Sequence, residues 1–241
     1  MLKVAKFGGT SVADSLQIEK IKSIVEADGD RRYIVVSAPG KRFEKDSKVT
    51  DLFYLFKNNL DANLPSDQIW GIIRDRFIAE EIALGNSGII GKELDIIKQK
   101  IEDGETIDYI VSRGEYLNAV LIAKYLGFDF VDAKDLIVLP DSGRPDIKAS
   151  IENLKKELKS HERAVIPGFY GTDKNGKIKT FSRGGSDITG ALVAAAVDAD
   201  IYENWTDVSG FLMADPRIIE NPKKISKITY KELRELSYMG A

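Results

Sequence analysis

Lys6-Phe7-Gly8-Gly9-Thr10-Ser11 follows the short apolar run Leu2-Lys3-Val4-Ala5 near the start of the chain. A lysine and two glycines therefore stand where a first buried strand would end. Such glycines make a tight turn, or they let backbone N–H groups approach an anion whose charge the lysine neutralises. Two other segments have the same make-up. Ser37-Ala38-Pro39-Gly40-Lys41 follows the β-branched run Tyr33-Ile34-Val35-Val36, and Ser182-Arg183-Gly184-Gly185-Ser186-Asp187 precedes an alanine-rich stretch. Any one of these reads as a turn. All three, each with Lys or Arg beside hydroxyls, point to a pocket that handles phosphate.

Outward from these segments, strands alternate with helices. Leu2–Phe7 and Tyr33–Ala38 read as buried strands, and Phe128–Val131, Leu136–Leu139, Ala164–Ile166 and Ile201–Thr206 as shorter ones. Helical spacing covers Ser15–Ala27, Val49–Asn59, Asp67–Leu84, Lys92–Ile101, Arg113–Leu126, Ala149–Ser160, Ala191–Val197 and Tyr230–Tyr238. Asn175-Gly176 marks a hairpin. This rhythm predicts an α/β fold with a largely parallel sheet covered by helices on both faces. Ligands of such folds bind at the carboxyl ends of the strands, where the three glycine segments fall.

Composition narrows the function. The 241 residues are 43% hydrophobic and 30% charged, with a net charge of −3. That gives no reason to expect nucleic acid or an anionic membrane as partner. No cysteine is present, which excludes disulfides, thiolate metal sites and cysteine nucleophiles. No signal-peptide core or membrane-length apolar run is visible, so a cytoplasmic protein is expected. The one histidine, His161, follows a lysine-rich helix and is expected at the surface. Gly88-Ile89-Ile90-Gly91-Lys92-Glu93 imitates a Walker A loop, but Asn86 and Glu93 stand where glycine and Ser or Thr belong.

The motifs "KFGGTS" at 6–11, "SRGE" at 112–115, "SRGGSD" at 182–187 and "WTDV…ADPR" at 205–217 occur in the order found in aspartate kinases. From Lys3 to its last residue the chain resembles an aspartate kinase catalytic domain, of the amino acid kinase family. The resemblance implies a three-layer α/β/α sandwich with a mainly parallel, roughly eight-stranded sheet. It implies one catalytic domain over 1–241, with an amino-acid-binding lobe to about 160 and a nucleotide-binding lobe over about 161–241. The implied reaction is ATP-dependent phosphorylation of the L-aspartate side-chain carboxylate to 4-phospho-L-aspartate, toward lysine, threonine and methionine.

Roles follow from the same resemblance. Lys6 and Asp187 would be catalytic, Lys6 bridging the transferring phosphoryl group and Asp187 organising it, with Gly8 and Gly9 as backbone donors. Arg183 would fork the α-carboxylate of aspartate and Glu115 would hold its ammonium, with Ser37, Thr50 and Ser186 lining the pocket. Thr206, Asp207, Asp215 and Arg217 would meet the nucleotide. Plain readings stand beside these. Glu115 and Asp187 also suit a first helical turn, Thr50 suits an N-cap, and Asp215-Pro216 suits a turn. The chemistry agrees on independent grounds: a carboxylate with a pKa of about 3.9 is already ionised and needs no general base. Neutralising phosphate charge is what the transfer needs. Mg2+ would ride mainly on the ATP phosphates.

Two departures from the family pattern are visible. Leu212 stands where many relatives have tyrosine, and the chain stops at Ala241, before a lysine-containing nucleotide segment and the regulatory ACT domains. An excised catalytic domain or an abbreviated form is expected, binding aspartate well and ATP weakly, with a homodimer possible. The alternatives are a non-catalytic amino-acid-binding domain, or a family member phosphorylating a different carboxylate. The pairing of Glu115 with Arg183 favours an amino-acid head group over both acetylglutamate and a nucleotide.

Overall fold

The computed structural model describes residues 1–86, 88–140, 143–182, 184–206, 210, 219–225, 227–229 and 232. The chain divides into two compact units, Met1–Thr206 and Asp207–Ala241. In the second, the Glu232 carboxylate accepts from the backbone N–H and the hydroxyl of Thr229, at 2.8 and 2.6 Å. Apart from Glu232, the helix expected over Tyr230–Tyr238 lies outside the described residues.

The first unit begins with β1 (Lys3–Phe7), α1 (Ser15–Glu26) and β2 (Arg31–Val36), then runs through α2 (Val49–Asp61), α3 (Asp67–Ala83), α4 (Ile90–Glu102) and α5 (Ile107–Leu126). It continues with β3 (Asp129–Phe130), α6 (Ile147–Leu158), β4 (Ala164–Pro167), β5 (Tyr170–Thr172), β6 (Ile178–Thr180), α7 (Gly185–Ala196) and β7 (Ile201–Trp205). Strands β3-β4-β2-β1-β7 form one sheet in that order, every pair parallel. Strands β5 and β6 form a separate antiparallel hairpin, closed at Asn175-Gly176 as the sequence predicts.

Strand periodicity builds the three layers. Ala5, Phe7, Ile34, Val36 and Val165 pack into one core with apolar residues of α1 to α5. The alternate residues Val4, Tyr33, Val35, Ala164 and Ile166 pack into a second core with α6 and α7. Successive side chains of a strand point to opposite faces, so a sheet buried on both sides must read as a continuous apolar run. The inner strands β2, over Tyr33–Val36, and β4 read that way, while the edge strands β3 and β7 do not.

Three details differ from expectation. The single sheet of about eight strands is not reached among the described residues, which give five parallel strands and a two-stranded hairpin. Leu136–Leu139 is as buried as a strand, yet the amides of Leu136 and Ile137 both bond back to the Ala133 carbonyl. Only Val138 makes a bridge, to Thr172. Helix α5 also starts earlier than its predicted Arg113, because the Thr106 hydroxyl accepts from the Tyr109 amide and caps it.

The loops after β1 and β2 touch backbone to backbone. A Cβ on Gly40 would lie 2.7 Å from both the carbonyl carbon and the oxygen of Gly9. Gly40→Ala should therefore destabilise the protein by ~1–3 kcal/mol and lower the melting temperature by several degrees. Gly29→Ala is the control, since nothing lies within 4 Å of that added carbon. Equal melting temperatures for the two variants would show that the loops separate freely.

Candidate active site at the strand ends

The carboxyl ends of β1, β2, β4 and β7 are stitched together by their first loop amides. Gly8 donates to Trp205 at 3.1 Å, Ser37 to Phe7 at 3.2 Å, Gly168 to Val36 at 2.9 Å and Gly40 to Gly9 at 2.8 Å. Helix α7 starts over this edge behind Gly184, whose φ of 59° is left-handed. Gly168 lets the first turn settle, since a Cβ there would lie 2.6 Å from the Ser186 side chain. The leading amides of a helix have no acceptor within it, and its dipole favours an anion. The α7 start therefore suits phosphate.

Lys6 is one residue from the end of β1 and shares its face with Val4, the face that packs on α7. Its ammonium lies 2.8 Å from Asp187 Oδ1. Asn204, on β7, donates to the same oxygen at 3.1 Å. The Lys6 side chain is only 9% exposed against 51% for Asp187, so the ammonium sits at the floor of the cleft with its counter-ion toward solvent. Gly8 is buried beside it, 3.5 Å from Lys6 Nζ to where a Cβ would be.

Across the sheet, α5 supplies the second polar cluster. Glu115 is buried, and its Oε2 has no hydrogen-bond partner. Burial pushes its carboxyl up to about 8, against the smaller opposing pull of the Ala38 amide. Asn118, one turn on along the same face, donates to the Ser37 carbonyl at 2.7 Å and leaves Oδ1 unpartnered. Among the described residues two buried side-chain oxygens without partners thus face the end of β2. Buried polar groups are nearly always paired, so the pair is suited to a cationic donor from outside the chain.

Of the other predicted residues, Ser37 is half-buried directly after β2 and Ser186 is buried in the first turn of α7. Thr50 lies inside the first turn of α2, half-buried; the N-cap position belongs to Lys48, which corrects the capping alternative. Gly9 opens the turn after β1, and Thr206 is exposed directly after β7. Arg183, Asp207, Asp215 and Arg217, together with Leu212, lie outside the described residues. Asn118 and Asn204 were not foreseen. Spacing alone hints at Asn118, three residues after Glu115; nothing marks Asn204.

Among the described residues no group of three or more His, Cys, Asp or Glu could hold a metal, and no helix is long and apolar enough to cross a membrane. His161 is partly exposed and bonded to Asp129 at 2.8 Å, which raises its pKa ahead of the weaker Glu157 contact. The Walker-like segment is an ordinary helix start: Glu81 Oε1 accepts from the amides of Ile89 and Ile90 at 2.8 and 3.0 Å. A carboxylate fills the place a phosphate would take.

A mainly parallel sheet thus carries at its strand ends a lysine, a helix start and two unpartnered buried oxygens, places for an anion and for a cation. The chain belongs to the amino acid kinase family, whose model matches residues 1–241. It is 39% identical to aspartokinase 3 of Bacillus subtilis, covering 99% of this chain and 56% of that protein. Among solved structures it matches an aspartate kinase of Clostridium acetobutylicum with a TM-score of 0.94 at 54% identity, over 98% of this chain and 55% of the other. It also matches E. coli aspartokinase III in complex with aspartate and ADP, with a TM-score of 0.83 at 28% identity, over 99% of this chain and 56% of the other. The chain spans about half the length of these relatives.

The raised pKa of Glu115 has a signed consequence. Between about pH 4.5 and pH 8 the folded protein holds a proton that the unfolded chain has released, so this group makes stability fall as pH rises through that window. Glu115→Gln removes the effect. The melting temperature of the variant relative to wild type should climb from the acid to the alkaline end of the window. A constant difference across it would mean that Glu115 titrates normally.

Proposed function

We propose that the chain is the catalytic unit of an aspartate kinase, transferring the γ-phosphoryl group of ATP to the side-chain carboxylate of L-aspartate. One observation carries the reading more than any other: the Lys6–Asp187 pair and the unpartnered Glu115 oxygen flank the same strand ends. Aspartokinase relatives and a related structure holding aspartate and ADP support it.

In this mechanism the α-ammonium of aspartate donates to Glu115, Asn118 Oδ1 and the lining around Ser37 and Thr50. Arg183 takes the α-carboxylate in a bidentate fork. An oxygen of the side-chain carboxylate, already ionised, attacks the γ-phosphorus; the bond from phosphorus to the ADP oxygen breaks and ADP leaves. No proton moves in that step. Lys6 neutralises charge on the β–γ bridging oxygen and the γ-phosphoryl oxygens, held there by Asp187, while Gly8, Gly9 and the start of α7 offer backbone donors. Magnesium arrives on ATP as part of the substrate. Thr206, Asp207, Asp215 and Arg217 are assigned to the nucleotide; residues to about 160 are the amino-acid-binding lobe and those beyond the nucleotide-binding lobe, with Lys6, Gly8, Gly9 and Arg183 as the exceptions. A cytoplasmic site of action accompanies this reading, and a homodimer is compatible with it.

ADP release measured with L-aspartate, with L-glutamate and without acceptor tests the assignment; release that ignores L-aspartate would overturn it. Lys6→Ala should reduce aspartate-dependent turnover by several powers of ten while circular dichroism stays near wild type. A second test uses the proton on Glu115. Near neutral pH the free carboxyl is largely protonated and must ionise to meet an ammonium, so L-aspartate binding should release close to one proton. Calorimetry in buffers of different ionisation enthalpy reads that number directly, and Glu115→Gln should lose both the proton and most of the affinity.

A further inference from the structure

Arg113 takes no part in the reaction proposed above. It precedes Glu115 by two positions, which turns its side chain by about 200° around α5, away from the strand-end site. There it is buried, 4% exposed, among three tyrosine rings: Tyr109 and Tyr116, each 4.5 Å from the guanidinium, and Tyr170 at 5.2 Å. Nε donates to the Tyr109 carbonyl and to Ser112 Oγ, and Nη2 donates to Ser112 Oγ at 2.9 Å. Among the described residues no carboxylate lies within 4.0 Å of the guanidinium, and Nη1 has no acceptor. A buried cation lacking an opposite charge is costly, and ring contacts offset only part of that cost.

This guanidinium lines a cavity of about 540 Å³, within the range of ordinary small-molecule sites. Neither Lys6, Glu115 nor Asp187 borders it. Three exposed lysines do: Lys100, Lys134 and Lys177. The Lys100 ammonium stands 5.6 Å from the ring of Tyr109, the ring that also stacks on Arg113, so the two cations share one wall. Lys177 comes from the β5–β6 hairpin, which is pinned to the start of α5 by Thr180 donating to Asp108 at 3.2 Å through its amide. Of the three carboxylates on the cavity, Glu93 already accepts from Tyr116 at 2.9 Å and Asp132 from Tyr170 at 2.7 Å; Glu105 is the third. Among the described residues four cations thus face three carboxylates, each of which already accepts a hydrogen bond, and Lys134 also lies 3.9 Å from Asp135.

We propose that this cavity is a binding site for a small polycarboxylate anion, distinct from the strand-end site. One carboxylate forks onto Arg113 between the tyrosine rings, and the others meet the ammonium groups of Lys100, Lys134 and Lys177. Planar guanidinium matches planar carboxylate in two parallel hydrogen bonds, and the lysines supply point charge where no fixed geometry is required.

Citrate is the probe, titrated into isotope-labelled protein near neutral pH without ATP or magnesium. Saturable shifts are expected in the Arg113 Nε–H signal and in the ring signals of Tyr109 and Tyr116. Arg113→Lys keeps the charge and loses the fork, so affinity should fall by about tenfold or more. Lys177→Glu, on the exposed hairpin, should fold normally and weaken citrate by at least about threefold, which keeps the test decisive if the Arg113 variant is unstable. Glu115→Gln should leave citrate affinity unchanged. The proposal is overturned by no saturable shift up to ~10 mM citrate, by shifts confined to Lys6 and its neighbours, or by unaltered affinity in the Lys177 variant. Inorganic phosphate binding as tightly as citrate would also overturn the polycarboxylate assignment.

Discussion

The ammonium of Lys6, 2.8 Å from Asp187, is the contact around which the first unit is arranged. It ties a strand near the middle of the sheet to the helix that covers that face. Its geometry requires the chain after β1 to turn away at once, which Gly8 and Gly9 do. Partly exposed ion pairs contribute little stability, and drawing a lysine head out of water removes some of what they give. The arrangement is therefore poorly explained as scaffolding. As a phosphate site it is well explained, because a nearly buried ammonium beside a solvated carboxylate is in place for an incoming anion and needs no rearrangement to meet it.

Holding that edge together falls partly to α3. Arg76 is buried on this helix and donates to the carbonyls of Ala13 at 3.0 Å, Gly40 and Ser47 at 2.8 Å. Those carbonyls belong to the loops after β1 and β2 and to the approach to α2. Burial lowers the Arg76 pKa, the nearby Arg42 adding to the effect and Asp46 opposing it. One guanidinium thus satisfies three loop carbonyls that otherwise would compete for water.

The elements that carry the site were legible because their signals are local. Strands β1, β2 and β4 each hold an apolar buried stretch, and the glycine segments after β1 and β2 are dense in residues that only a turn or an anion site tolerates. Glu115 was found through its motif. Asn118 was not, since one asparagine in a helical pattern looks like any surface residue until the helix is known to be buried all round. Arg76 was missed for the same reason: charge in an amphipathic stretch reads as a solvated face, whereas here tertiary packing turned it inward. Leu136–Leu139 failed differently. Its burial pattern is that of a strand, but hydrogen-bond partners are decided by the neighbouring Ala133 turn, and periodicity carries no information about them.

Helix α5 shows how much polar chemistry one buried element can hold. A helix covered on all sides is ordinarily apolar throughout, yet Ser112, Arg113, Glu115 and Asn118 are all buried here. Gly114 in their midst packs against Ala38, Val49 and Phe53, where an added Cβ would lie 2.9 Å from the Ala38 side chain, so the helix is fixed tightly on the sheet at that point. Polar side chains on so rigid a support cannot swing out to find partners. Ser112 resolves its need within the helix, by donating to the Tyr109 carbonyl at 2.7 Å. The rest of the set is resolved only incompletely: among the described residues Glu115 Oε2 and Asn118 Oδ1 lack hydrogen-bond partners on one side, and no carboxylate lies within 4.0 Å of the Arg113 guanidinium on the other. Opposite needs on opposite sides of one immobile helix are a poor solution for stability. They are a good one for binding, because each side is preorganised for a ligand of the complementary charge.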